Sequence, residues 1–318
     1  MTETRLSDII VPEVFNPNVI EQTAEKIRFL QSGIVTPVGD ISIGSGTTIQ
    51  IPFYQDLSGA DSVWDDTNDI TLNNISMAKS TAVVLTREQA WAATDLAREL
   101  GQQIDPMGAI VSRVSDYWAR RYEAALLSSV NGAMASFSDN TLDISGLSGT
   151  DSHIDGEAFV DATQKLGDSG RDLTDMAVHS AVEANLRKQD LIDFIPDSEG
   201  KLTIEAFQGR RLHVDDSMPE DSGVYTTYLF GQGAVGLVDE MVPNANETYR
   251  HPEKSGGTDA LYTRRKFLMH PHGISWDPAS GVPSSSTPSN SELADSGNWT
   301  RKYEPKNIKI VRFLHTVS

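Results

Sequence analysis

Apolar and polar residues alternate through Thr47-Thr48-Ile49-Gln50-Ile51-Pro52-Phe53, the two-residue period of a half-buried strand. A second β-rich run covers residues 77–85. The connection between them carries Asp56, Asp61, Asp65, Asp66 and Asp69 around Trp64, without one Lys or Arg. A long β-hairpin with an acidic tip is predicted. The period changes after Asp105-Pro106, an N-cap residue followed by a proline that has no intrahelical N–H bond to lose. Met107, Ile110, Val111, Val114, Tyr117, Trp118, Ala125, Leu126 and Val130 then recur at three- and four-residue steps, up to a stop at Asn131-Gly132. A helix of that extent is about 37 Å long, enough for the spine of a flat subunit.

On either side the pattern is less regular. Residues 1–40 mix short apolar groups with Pro12, Pro17 and Pro37 around one helical stretch at 18–31, the signature of an extended arm. Beyond the spine, residues 157–166, 172–179 and 180–188 read as helix, strand and helix. Two β-rich stretches follow at 201–214 and 224–238, the second studded with Gly. Later strands are predicted at 261–269 and 308–313, with a Ser- and Pro-rich loop at 277–298 between them.

The charge narrows the classes of function. Forty-five acidic residues against 26 Lys and Arg give a net charge of −19, which repels nucleic acid phosphates and acidic membranes over most of the surface. A sequence-reading DNA binder is therefore not expected. With no Cys in the chain, disulfides, thiolate metal sites and Cys nucleophiles are excluded. The N-terminal residues lack an apolar core of the secretory type, and residues 222–238 are too short and polar for a membrane span.

Candidate chemistry is sparse. Gly231-Gln232-Gly233-Ala234-Val235-Gly236 matches G-x-G-x-x-G after a predicted strand, as a nucleotide-binding enzyme would require, but the residues that follow read as strand or turn. No helix N-terminus is then available for a pyrophosphate, so a glycine-rich bend is expected. Gly167-Asp168-Ser169-Gly170 reads as a helix end and turn, since no partner His is recognisable for the Ser. His213 with Asp215 and Asp216, and His270 with His272, are weak metal patterns. No catalytic, cofactor-binding or metal site is expected. Against the acidic background stand Arg113, Arg120 and Arg121 on the spine helix, and the triplet Arg264-Arg265-Lys266. Both groups are candidate partners for an acidic hairpin carrying Asp61, Trp64, Asp65, Asp66 and Asp69 from another subunit.

The order of several segments resembles major capsid proteins of tailed bacteriophages. These are Val11-Pro12-Glu13-Val14-Phe15-Asn16-Pro17, Gln31-Ser32-Gly33-Ile34-Val35, Gly46 to Phe53, Trp91 to Leu96, Asp105-Pro106-Met107, His179-Ser180, Val214 to Pro219, and Tyr228-Leu229-Phe230-Gly231. The resemblance covers most of residues 5–240. It implies an α+β subunit of the Hong Kong 97 type: an N-terminal arm at 1–43, an extended loop at 44–82 and a peripheral domain with the spine helix at 83–150. An axial domain at 151–240 and returning strands at 241–318 complete it. It also implies hexamers and pentamers of an icosahedral shell around double-stranded DNA held by non-specific proximity, with portal, scaffolding and decoration proteins as partners and the virion as destination. An encapsulin, a cargo compartment of the same fold type, is the alternative.

Overall fold

The computed structural model describes residues 32–38, 43–44, 46–57, 61, 73–95, 106–196 and 202–317. Strand β1 (Val35–Pro37) precedes the hairpin strands β2 (Thr48–Tyr54) and β3 (Met77–Val83), and β3 runs through Val84 into β4 (Leu85–Thr94). Helix α1 (Pro106–Ala135) follows, then strand β5 (Thr141–Asp143), helix α2 (Gly156–Gln164), strand β6 (Leu173–Val178) and helix α3 (Ser180–Lys188). Next come β7 (Asp193–Pro196), β8 (Leu202–Phe207), β9 (Arg210–Val214), β10 (Glu220–Asp221) and β11 (Val224–Gly231). Strands β12 (Val235–Glu240), β13 (Asn246–His251), β14 (Thr258–Pro271) and β15 (Ile274–Trp276) lead to helix α4 (Asn290–Ala294). The described chain closes with β16 (Trp299–Arg301) and β17 (Ile310–Thr316).

Two sheets organise these elements. In the first, β14 pairs antiparallel with β4 along one edge and with β12 and β13 along the other, while β1 lies parallel to β12. Helix α1 packs on this sheet. The Trp118 indole donates to Thr263 Oγ1 at 3.1 Å, and Tyr122 stacks on Phe267 at 4.2 Å. The second sheet has the order β5-β17-β11-β6-β9-β8-β7, with β10 on the edge of β11. It is covered on both faces, because successive side chains on a strand point to opposite sides. Tyr228 and Phe230 of β11 join the core around α1, whereas Leu229 joins a second core with Phe159 of α2 and Val182 and Leu186 of α3.

Local chemistry fixes the helix ends. Asp155 caps α2 by accepting from the Ala158 amide, and His179 caps α3 through the Ala181 amide. Glu183 in the first turn of α3 and Arg187 and Lys188 in its last turn complement the helix dipole.

The structure corrects several expectations. The spine helix does not stop at Asn131-Gly132 but continues to Ala135, because these residues are packing positions. Asn131 Oδ1 accepts from the Tyr228 hydroxyl at 2.9 Å, and Gly132 admits the backbone of α4. The stretch 277–298 is not only loop. Ser289 and Glu292 form a capping box that starts α4, and a 3-10 turn (Ser296–Asn298) follows. Strand β4 was not anticipated, since Arg, Glu, Gln and Ala favour helix, yet ten positions pair with β14. The stretch 224–238 is two strands in different sheets, turned at Gly231–Ala234 with Gly233 at φ +67°. The predicted helix at 18–31 lies outside the described residues.

Candidate functional site

The hairpin follows the predicted alternation. Its strands pair from Thr48 opposite Val83 to Tyr54 opposite Met77. Ile49, Ile51 and Phe53 face the body of the subunit. The two isoleucines pack against a small core of Ile43, Ala82, Val84, Val238 and Leu268, and Phe53 meets Tyr303 edge-on at 4.6 Å. Polar contacts lock the same face. Ser80 Oγ donates to the Ile274 carbonyl at 3.2 Å and lies 3.3 Å from His270 Nε2, while the Thr81 amide donates to Ser275 Oγ at 2.9 Å. Burial lowers the His270 pKa to about 3, with His272 adding to the effect, so the ring is neutral there.

The opposite face is unlike the sheets behind it. Tyr54, Ile75 and Met77 are 66, 53 and 61% exposed, although each is large and apolar. Asp56, Leu57 and Asp61 are exposed as well.

Helix α1 presents Arg113, Arg120 and Arg121 as exposed residues. Arg121 lies over the Tyr117 ring at 5.2 Å, and Tyr117 meets Trp91 of β4 at right angles, 5.0 Å between centroids. Between these elements runs a groove of about 320 Å³ lined by Trp91, Ile110, Arg113, Val114, Tyr117 and Arg120. Sequence reading identified the arginines but not the groove, whose other wall belongs to the unanticipated β4.

The triplet on β14 divides by alternation. Arg264 donates to Glu247 Oε2 at 2.6 Å, which raises its pKa, and the Lys266 ammonium donates to the Gly44 carbonyl. Arg265 turns the other way, into the subunit, where it lies 5.3 Å over the Trp118 ring and donates to Asn246 Oδ1. Burial lowers its pKa, opposed by Asp239 and Tyr122. Arg265 therefore holds helix to sheet within one subunit, and only Arg264 and Lys266 of the three face outward. Trp64, Asp65, Asp66 and Asp69 lie outside the described residues.

The remaining motifs are structural in their surroundings. After the glycine string comes strand β12, and a β-carbon on Gly231 would crowd the Asp172 carbonyl oxygen at 2.8 Å. Residues Gly167–Asp172 form a 3-10 turn in which Asp168 pairs with Lys306. His213 binds Asp175 at 2.8 Å, apart from Asp215, which accepts the Ser217 amide. Among the described residues no cluster of three or more His, Cys, Asp or Glu could hold a metal, and no helix is long and apolar enough to cross a membrane.

The fold is one found in solved phage capsids. The capsid of Ralstonia phage GP4 superimposes with a TM-score of 0.59 over 90% of this chain and 88% of its own, at 9% identity. The SrpI encapsulin of Synechococcus elongatus PCC 7942 shares the fold at a TM-score of 0.53, 8% identity, and 89% and 85% coverage. Sequence separates the two. Residues 12–309 match the family model Major capsid protein 13-like, and the chain is 39% identical over 327 residues to the major capsid protein of Bacillus phage SPP1, covering 99% of both. The chain belongs to the Major capsid protein 13-like family and is a structural subunit of a phage capsid.

Proposed function

We propose that this chain builds the icosahedral head shell of a tailed phage as a Hong Kong 97-type subunit. Residues 1–43 serve as arm, 44–82 as extended loop, 83–150 as peripheral domain, 151–240 as axial domain and 241–318 as returning strands. Hexamers and pentamers enclose double-stranded DNA that the negative inner wall does not grip. Portal, scaffolding and decoration proteins are its further partners, and assembly takes place in the host cytoplasm. The observation that carries this reading is the hairpin, fixed to the body along one face by Phe53, Ser80 and Thr81 yet exposing Tyr54, Ile75 and Met77 on the other. A face of that kind is stable in water once another molecule covers it. Within this reading the acidic tip, Asp61 to Asp69, docks on the basic residues of a neighbour: Arg113, Arg120 and Arg121, or Arg264 and Lys266.

Sedimentation velocity of the purified chain, with and without a scaffolding protein, tests the proposal. Capsomers and shells are expected. A species that stays monomeric under every assembly condition contradicts it.

A further inference from the structure

The second sheet holds an arginine that meets no carboxylate among the described residues. Arg210, the first residue of β9, is half-buried, and burial lowers its pKa with no opposing charge beside it. Its guanidinium lies 5.0 Å over the Phe159 ring and donates to the carbonyl oxygens of Gln208 and Gly170, each at 3.2 Å. The Nε–H is buried with no acceptor among the described residues. A guanidinium taken out of water without a counter-charge is costly, so a half-buried one ordinarily faces an anion. Space for an anion lies beside it. A pocket of about 530 Å³ runs between Thr163 and Gln164 in the last turn of α2, the 3-10 turn that follows, and Arg210. Arg171, which is exposed, lines it as well. The frame is fixed, since a β-carbon on Gly170 would come 2.5 Å from the Thr163 carbonyl oxygen. Asp168 also lines the pocket, but Lys306 Nζ donates to it at 2.9 Å and lowers its pKa. Arg171, Arg210 and Lys306 against Asp168 leave a local charge of +2, in a chain whose net charge is −19.

We infer that this pocket binds a phosphoryl group, held by the Arg210 and Arg171 guanidiniums with the Thr163 hydroxyl and the Gln164 amide beside it. A phosphoryl group carries about −1.5 to −2 charge near neutral pH and presents several acceptor oxygens, which the planar guanidinium fork matches. A single carboxylate would leave half of the local surplus unmet. The ligand ties the start of β9 to the turn before β6, and through Asp168 and Lys306 to the turn before β17 (Pro305–Asn307). It therefore stabilises the second sheet, because it binds the folded chain alone. Nothing in this site depends on how the subunit assembles.

Titration of the unassembled full chain with inorganic phosphate at constant ionic strength, followed by phosphorus NMR and thermal unfolding, tests the inference. Saturable binding is expected, with the unfolding midpoint raised by about 2–4 °C at ten times the dissociation constant. Arg171→Ala, at an exposed position where the fold is insensitive to the change, should weaken binding about tenfold. Arg210→Lys keeps the charge without the fork and should weaken it at least as much; should that variant fail to fold, Arg171→Ala decides alone. Arg113→Ala on the spine helix should leave binding as it is. Absence of saturable binding, or binding that Arg171→Ala does not change, overturns the inference. A rise in midpoint that Arg171→Ala fully shares is the general effect of an excluded salt and overturns it too. A short DNA duplex distinguishes the source of the group: competition with phosphate assigns the pocket to a sugar-phosphate backbone, and lack of competition assigns it to free phosphate.

Discussion

Gly132 of the spine helix lies under the carbonyl oxygen of Leu293, so close that a β-carbon would overlap that atom and crowd the Trp299 indole. The same carbonyl accepts the indole N–H of Trp299 at 2.8 Å, so neither group can move aside cheaply. Gly132→Ala should therefore destabilise the subunit by about 1–3 kcal/mol, the usual range for overpacking a filled site. Urea unfolding of the unassembled subunit measures it, and an unchanged midpoint would show that α4 is free to shift.

A second prediction concerns the polar contact inside the α1 core. The Tyr122 hydroxyl donates to Asp239 Oδ2 at 3.2 Å, and burial holds the Asp239 pKa above its ordinary value. Tyr122→Phe keeps the stacking on Phe267 but leaves the carboxyl short of a donor, at a cost of about 1–3 kcal/mol. Thermal unfolding should show the loss, and an unchanged midpoint would remove this contact from the account.

Acid stability should fall for an identifiable reason. His270 and His315 are buried, and their pKa values are lowered to about 3 and about 4, chiefly by burial. An unfolded His titrates near 6.5, so below that pH the unfolded chain binds protons that the folded chain refuses. Their contribution is complete above about pH 6.5 and is lost progressively as pH falls toward 4 and then 3. His270→Asn should flatten the acid limb of the stability profile. A limb of unchanged slope would remove His270 from the account.

The sequence made much of this readable, and the misses have physical causes. Alternation in residues 47–53 revealed both the hairpin and its inner face, because one side of those strands is buried and the other is not. The spine helix was visible from Asp105 onward for the same reason. Strand β4 was hidden, since its residues favour helix and only pairing with β14 makes them a strand. One wall of the groove was lost with it. Helix α4 did leave a signal, Ser289 followed by Glu292 at capping-box spacing, which the surrounding Ser and Pro obscured. That Arg265 faces inward while Arg264 and Lys266 face outward follows from alternation along β14, once the strand is known.

Charge in the acidic segment between β2 and β3 gives a fourth prediction. Exposed pairs contribute only about 0.2–1 kcal/mol each, so one substitution should change little. Reversing Asp65, Asp66 and Asp69 together to Lys should lower shell yield and weaken its salt dependence, and reversing Arg113 and Arg120 to Glu in the same chain should restore part of both. Normal yield and salt response in the triple variant would rule out electrostatic docking of this segment.

The central claim is that exposed surfaces of this subunit are completed by other copies of itself, and electron microscopy of particles assembled from the chain tests it most directly. Closed icosahedral shells are predicted, in which the β2–β3 hairpin of each copy lies across helix α1 of a neighbour. Closed shells in which Tyr54, Ile75 and Met77 still face solvent, or preparations that contain no ordered assembly at all, would contradict it.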